Sequence, residues 1–368
     1  MILNDYAVEE IDSLSQFISV INQHVRIRGQ DEKMTRGDNL YWYIDELHRK
    51  LDQLYYVFND VIADDIKLYK CAREILDTET ELEYWQQFRK HAKSLNNNDV
   101  LTTKFHFTQY KYYFRGHYNA QLYRLLPSVL RGTEPLKEDF YYHNIKVQCS
   151  EDFINCNHIH QLVQMQHYDC PTRLLDITSN PLVALYFACK NFKCENCDRA
   201  NVGEVFIFAV KESEILYYDS DKALMLSCLP RFSYADKMEI YDACYKKIRT
   251  RGRFDAPNNG TTVERLYHEI KTEVPSFDKK MNPVDLLTPF FVQPLKMNAR
   301  ILKQDGAFII NGLSKSSSDA IQKLEYLITT RIRVHNQDRI LEELDKLGIN
   351  EATLFPEVDK VANYLKSK

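Results

Sequence analysis

Hydrophobic residues recur at helical spacing over much of this chain. Residues 11–25 place apolar side chains on one face, behind Asp12 and Ser13 as candidate caps, which predicts a short amphipathic helix. Residues 39–96 keep a helical spacing with almost no Gly or Pro, which predicts two or three more helices. The same pattern predicts helices at residues 136–153, 159–166, 181–192, 338–347 and 355–365.

Other segments have the short apolar or aromatic pattern of β-strands. Residues 105–114 are rich in strand-forming aromatic types and lead into Gly116, where we expect a turn. Strands are also predicted at residues 203–210 and 326–334, and as two short extended pieces within 298–310 hinged at Asp305 and Gly306. Helices and strands are mixed along the chain, which predicts an α+β fold.

Residues 165–188 change abruptly from a polar segment to an apolar one. His, Arg, Asp, Thr, Ser and Asn crowd around Pro171 and before Pro181, and an apolar run follows. Asn180 and Pro181 are residue types that begin a helix. The pattern predicts a polar loop set on a buried helix, a usual way to build a functional site.

The composition argues against membrane and general polyanion binding. The 368 residues have 44% hydrophobic content and a net charge of -4, so they can form a large core and have no overall attraction for nucleic acid or anionic lipid. No run of 18 apolar residues occurs, and the first ten positions contain acids. We therefore expect a cytoplasmic protein without membrane contact.

The cysteines and the one basic run give weak signals. Nine cysteines, mostly in apolar runs, favour reduced thiols. Cys194 and Cys197 have a metal-ligand spacing but no second pair to complete four ligands, so we expect no metal. Residues 246–253 are basic enough to meet phosphates, with a solvated helix end as the alternative.

Five separate motifs resemble the FRG domain family, which is named for a Phe-Arg-Gly triplet. One departure is Asp169, where similar proteins usually have Gly; Asp tolerates a left-handed backbone, so we expect the turn to be kept. In the family's order, the motifs are residues 113–117 (Tyr-Phe-Arg-Gly-His), 126–131 (Leu-Pro-Ser with Arg131), 165–188, 226–230 (Leu-Ser-Cys-Leu-Pro) and 300–308 (Arg-Ile with Gln304, Gly306 and Phe308).

The resemblance implies a domain organisation. Residues 1–29 would hold the first helix of the FRG domain, 30–104 a helical insertion, 105–314 the domain core, and 315–368 a strand and helices packed on that core. The implied fold is α+β, with a mainly antiparallel, split β-sheet wrapped by helices.

The order of motifs is also similar to that of the ADP-ribosyltransferase superfamily, which implies NAD as a substrate and either transfer or hydrolysis of ADP-ribose. Gln304 would then stand at the position of a late-strand acceptor. Because Gln cannot act as a general base, Asp176 is the candidate to replace it. The implied ligand contacts are Arg115, His117, Thr178, Ser179, Tyr186, Arg173 and His167.

Structural roles compete with these assignments. Arg115 could pair with Asp176 and Arg173 with Glu138, since buried charges are normally paired. Two other functions stay open. One is a non-catalytic module in which Arg115, Arg173 and Asp176 recognise a phosphorylated ligand or partner. The other is a nucleic-acid-binding effector that uses residues 246–253.

Overall fold

The computed structural model describes residues 7–25, 110–121, 123–131, 137–154, 156–190, 202–250, 253–254, 260–278 and 281–368. The predicted helical insertion at residues 30–104 lies outside the described residues. Within the described ranges, no helix is long and apolar enough to cross a membrane.

An eight-stranded mixed sheet forms the centre of the α+β fold, and it does not close into a barrel. Its strand order is β1-β8-β4-β2-β3-β7-β6-β5; the two outermost pairs, β1 with β8 and β5 with β6, are parallel and the rest are antiparallel. The strands are β1 (Ala7–Ile11), β2 (Tyr110–His117), β3 (Leu174–Thr178), β4 (Gly203–Lys211), β5 (Leu216–Tyr217), β6 (Phe290–Gln293), β7 (Gly306–Ile310) and β8 (Thr330–Val334).

Helices cover both faces of the sheet. They are α1 (Leu14–His24), α2 (Glu138–Gln148), α3 (His158–His167), α4 (Pro181–Cys189), α5 (Asp221–Cys228), α6 (Tyr234–Arg249), α7 (Thr261–Glu273), α8 (Pro283–Leu287), α9 (Ala299–Lys303), α10 (Ser317–Glu325), α11 (Gln337–Lys346), α12 (Glu351–Leu354) and α13 (Val358–Lys366). Single 3₁₀ turns occur at Ser128–Arg131, Ser150–Phe153, Glu212–Glu214 and Leu229–Arg231.

Helix α4 begins as its sequence predicts. The side chain of Asn180 accepts a hydrogen bond from the Leu182 amide at 3.0 Å, and Pro181 occupies the first helical position. The helix packs against β2 in an apolar cluster that includes Phe114, Val183 and Ala184. This packing fixes the position of the polar segment that precedes the helix.

Gly116 is the point where α4 lies closest to the sheet. A Cβ atom at this position would stand 1.9 Å from the Ala184 carbonyl oxygen and 2.7 Å from the Ala188 amide nitrogen. The predicted turn at Gly116 is therefore wrong. Gly116 lies within β2, and the close approach of a helix backbone, not a bend in the chain, requires glycine there.

The sheet is divided between β2 and β3. These strands pair at one position, Phe114 with Thr178, whereas β2 and β4 pair along the whole of β2. The strands therefore separate on the side that leads to His117. All eight strands nevertheless belong to one sheet.

Two segments differ from the sequence-based expectation. The polar run before α4 contains a strand, β3, because Leu174, Leu175 and Ile177 are buried and extend the sheet. The first of the two extended pieces predicted within 298–310 is instead the short helix α9. The Asn298 side chain caps that helix by accepting a hydrogen bond from the Ile301 amide at 3.0 Å. The helix has five residues, too few to show a helical hydrophobic pattern in the sequence.

Candidate functional site

Arg115 projects into the gap between β2 and β3. It pairs in register with Phe206 of β4, so its side chain lies on the sheet face opposite Phe114 and α4. Its Nη1 donates to the backbone carbonyl of Asp176 at 2.5 Å. A side chain thus fills the role that a ladder hydrogen bond would fill if the strands stayed together.

His117 lies beside Arg115 at the floor of this gap. Its side chain is buried against the edge of Phe206, with ring centroids 5.0 Å apart. Arg115 Nε donates to His117 Nε2 at 2.9 Å, so the imidazole proton is placed on Nδ1. Nδ1 is buried, and the described residues offer it no hydrogen-bond partner.

Burial, reinforced by the charges of Arg115, Arg131 and Arg331, lowers the pKa of His117 well below 6.5. The imidazole is therefore neutral near pH 7 and adds no charge beside Arg115. Burial and then the charge of Arg131 also lower the pKa of Arg115 to about 10, while Asp176 opposes that change. Arg115 still carries its full charge at neutral pH.

Arg131 adds a second positive charge, close enough to Arg115 to lower the pKa of that residue. Its Nε and Nη2 donate to the Leu126 carbonyl at 3.0 and 2.7 Å, which holds the guanidinium at the end of the 3₁₀ turn Ser128–Arg131. Across from it, the Asp176 carboxylate lies 4.0 Å from Arg115 and is 62% exposed. We call Arg115, His117, Arg131 and Asp176 the arginine notch.

The arginine notch has an excess of positive charge over its close carboxylates. Among the described residues, Asp176 is the carboxylate within 4.0 Å of Arg115, and Arg131 has none within that distance. A neighbouring cation, Arg331, is already paired with the buried Glu204 at 3.3 Å. The Arg115 and Arg131 guanidinium groups can therefore bind an anion.

Arg173 lies in a separate buried ion cluster. Its Nε donates to Glu138 Oε1 at 2.8 Å and its Nη2 to Oε2 at 2.5 Å, while Lys237 Nζ donates to the same Oε2 at 2.7 Å. Burial alone would raise the pKa of Glu138, but Arg173 and Lys237 together lower it to about 2. The alternative pairing of Arg173 with Glu138 is confirmed, and this arginine is fully engaged in holding α2 and α6 to β3.

Thr178 and Ser179 fasten the end of β3 to the chain before β7. Thr178 Oγ1 donates to the Gln304 carbonyl at 2.6 Å and accepts from the Asn180 amide at 2.9 Å. The Ser179 amide donates to the Asp305 carbonyl at 3.0 Å. The Gln304 side chain itself donates to the Leu354 carbonyl at 3.1 Å. These residues lie near one another, but their polar groups bind protein atoms outside the arginine notch.

Tyr186 and His167 also lie away from the notch. Tyr186 is buried in the α4 cluster on the opposite face of the sheet, where burial, followed by the Glu351 carboxylate, raises its pKa. His167 ends α3, and its carbonyl accepts from Arg300 Nη1 at 3.4 Å. Of the predicted site residues, the structure thus brings together Arg115, His117 and Asp176.

Sequence reasoning missed Arg131 as a site residue. It belongs to one of the five motifs, but no local pattern distinguishes it, because only the fold brings it close to Arg115. Asp169 has a positive φ of 58°, which confirms the expected left-handed turn. No group of three or more metal-ligating side chains occurs in the ranges that the structure covers.

Comparison with known proteins gives one match. No curated protein and no solved structure matches the chain. The FRG domain family matches residues 110–197, a segment that contains all four residues of the arginine notch. The chain therefore contains an FRG domain at residues 110–197.

Proposed function

We propose that this protein binds a phosphorylated small molecule in the arginine notch. The observation that carries the proposal is the charge arrangement: among the described residues, Arg115 and Arg131 lie close to one carboxylate, that of Asp176, which is largely exposed, and the buried His117 beside them is neutral. Buried donors and cations are normally satisfied, so such a set favours an anionic ligand with several acceptor oxygens.

The structure changes which arginines support this function and favours it over nucleic-acid binding by residues 246–253. Arg173 is taken up by Glu138, so the phosphate-binding hypothesis rests on Arg115 and gains Arg131 in its place. The basic residues Lys246, Lys247 and Arg249 lie in the last turn of α6, where a solvated helix end explains them without nucleic acid. The arginine notch lies instead within the segment that matches the FRG domain.

A second candidate is binding and cleavage of NAD. One observation favours it: the exposed Asp176 carboxylate lies beside Arg115, where it could accept a hydrogen bond from a ribose hydroxyl next to a bound phosphate. Gln304 and Thr178 bond to protein atoms elsewhere, so this chemistry would depend on Asp176. Release of nicotinamide from NAD, lost in Asp176→Asn, would support it.

The binding test is a thermal shift and calorimetric titration of the full chain with inorganic phosphate, ADP-ribose and NAD. We expect at least one to raise the melting temperature, and Arg115→Ala and Arg131→Ala each to weaken its binding about tenfold or more. Arg339→Ala, which changes an exposed arginine on α11, is the matched control. If no phosphate compound binds the wild-type protein, the proposed function is refuted.

A further inference from the structure

Helix α2 presents two large apolar side chains to solvent on one face. Phe140 is 56% exposed and Val147 is 75% exposed. The two residues are seven positions apart in the chain, so they lie about two helical turns apart on the same side of the helix. We call Phe140 and Val147 the α2 stripe.

The inner face of α2 is fixed to the rest of the protein. Glu138 is buried and accepts hydrogen bonds from Arg173 and Lys237. Tyr142 is also buried, and its hydroxyl donates to Gln161. The helix therefore cannot rotate to bury the α2 stripe, and only a contact from outside the described residues can cover it.

The polar side chains between the two apolar residues are turned toward their own chain. Asn144 Nδ2 donates to the Phe140 carbonyl at 2.8 Å, and His143 Nε2 lies 3.2 Å from the Arg231 carbonyl oxygen. The Phe140 ring is itself in an edge-to-face contact with Tyr141, with ring centroids 5.8 Å apart. Covering this face therefore desolvates few free polar groups and orders little that is not already held in place.

Opposite charges flank the α2 stripe. Lys137 is exposed just before the first turn of α2, and Glu151 is exposed in the 3₁₀ turn that follows the helix. Two antiparallel copies of α2, related by a two-fold axis between positions 143 and 144, bring level the residues that lie equally far from the axis. Phe140 then lies on the partner's Val147. Lys137 lies beside the partner's Glu151, so the surface is complementary to itself in both shape and charge.

This self-complementarity favours a second copy of the chain over other occupants. The antiparallel arrangement also aligns the two helix dipoles favourably, whereas a parallel copy would place Lys137 against Lys137. Glu151 and Asp152 beside the stripe disfavour an anionic membrane. A helix of 11 residues is about 16 Å long, so the contact is smaller than a standard interface and the dimer is weak.

We propose that α2 is a self-association surface through which two copies of this chain pair antiparallel, with the α2 stripe of each copy covered by that of the other. This inference goes beyond anion binding, because α2 contains no residue of the arginine notch. The small contact predicts a dissociation constant between about 10 µM and about 1 mM.

Sedimentation velocity of the full chain from about 1 µM to about 1 mM measures the dimer directly. We expect dimer to accumulate with concentration and Val147→Asp to weaken it about tenfold or more, because the new carboxylate would be covered without a partner. Val358→Asp, on α13 at a residue that is 84% exposed, is the matched control and should dimerise as the wild type does. A wild-type chain that stays monomeric overturns the proposal, as does equal dimerisation of the two variants.

A charge exchange tests the register of the two helices. Lys137→Glu and Glu151→Lys should each weaken the dimer about threefold or more, because each puts like charges together at both symmetric positions. The double variant should restore the wild-type affinity, since every ion pair forms again with its signs reversed. A double variant as weak as the single variants overturns the antiparallel register.

Oxidative crosslinking checks the position of the two-fold axis. Asn144 lies next to the axis, so Asn144→Cys should form a disulfide with its symmetry mate, within the roughly 7 Å between Cα atoms that such a bond allows. The exposed native Cys149 lies about 16 Å from its own mate in this arrangement, so the wild type is the control. Equal amounts of covalent dimer in the wild type and Asn144→Cys would overturn the antiparallel arrangement.

Discussion

Replacing Gly116 with alanine should destabilise the protein strongly. The new Cβ would stand 1.9 Å from the Ala184 carbonyl oxygen, where ordinary contacts begin at 3.4 Å, so α4 would have to withdraw by about 1.5 Å. The obstructing atoms are all backbone, so no side-chain rotation relieves the clash. Overpacking usually costs about 1–3 kcal/mol, and moving a helix off the sheet also loses dispersion contacts. We expect a loss of about 3 kcal/mol or more.

Gly306→Ala is the matched control, because it changes another strand glycine of the same sheet. A Cβ there meets the Ile301 side chain at 3.4 Å, an ordinary contact, so the effect should stay within about 1 kcal/mol and could be stabilising. Urea unfolding followed by circular dichroism measures both variants against the wild type. If Gly116→Ala unfolds at the same urea concentration as Gly306→Ala, the close approach of α4 is refuted.

Three further predictions concern buried polar groups. Glu138→Gln leaves two buried cations without a counter-charge and should cost about 3–5 kcal/mol at pH 7, against about 0.5 kcal/mol or less for Glu10→Gln in an exposed pair. Because the pKa of Glu138 is lowered from 4.5 to about 2, its contribution to the free energy of unfolding is complete above about pH 4.5 and is lost toward pH 2. The difference in unfolding free energy between the wild type and Glu138→Gln, measured by urea unfolding, should therefore decrease over that range. A constant difference would contradict the pairing. Thr178→Val removes both hydrogen bonds of Oγ1 and should lower the free energy of unfolding by about 1–3 kcal/mol, measured by thermal unfolding. The control Ser179→Ala, at an exposed position, should lower it by less than about 1 kcal/mol. Equal losses of stability would contradict the role of Thr178 in holding the end of β3. The ring signals of His117 should not titrate between pH 8 and pH 6 in NMR spectra, since its pKa lies well below 6.5, and a midpoint in that range would refute the neutral, tautomer-fixed imidazole.

Elements with strong local signals were predicted well from the sequence. Asn180 and Pro181 located the start of α4, and the apolar run at residues 203–210 matches β4, which ends one residue later at Lys211. Strand β3 was missed because Asp176 and Thr178 make its short sequence polar. Thr178 donates to the distant Gln304 carbonyl, and the Asp176 carboxylate lies 4.0 Å from Arg115 of the neighbouring strand. Local pattern has no access to such partners.

The residues of the arginine notch were also only partly predictable from the local sequence pattern. Arg115 and His117 share one strand, so their proximity follows from alternation along β2. Arg131 and Asp176 join them only because a 3₁₀ turn and a diverging strand bring them to the same gap, which depends on the tertiary fold. The pairing of Arg173 with Glu138 was foreseen as one alternative, since a buried arginine needs a carboxylate.

Strands β2 and β3 pair at one residue position, so the sheet consists of two groups of strands with a weak connection between them. One group contains β1, β8, β4 and β2, and the other contains β3, β7, β6 and β5. Arg115 adds a second connection between the groups through its hydrogen bond to the Asp176 carbonyl. Loss of this hydrogen bond would leave the Phe114–Thr178 pair as the backbone pairing between β2 and β3 in the described part of the chain, so Arg115 stabilises the sheet at its weakest connection.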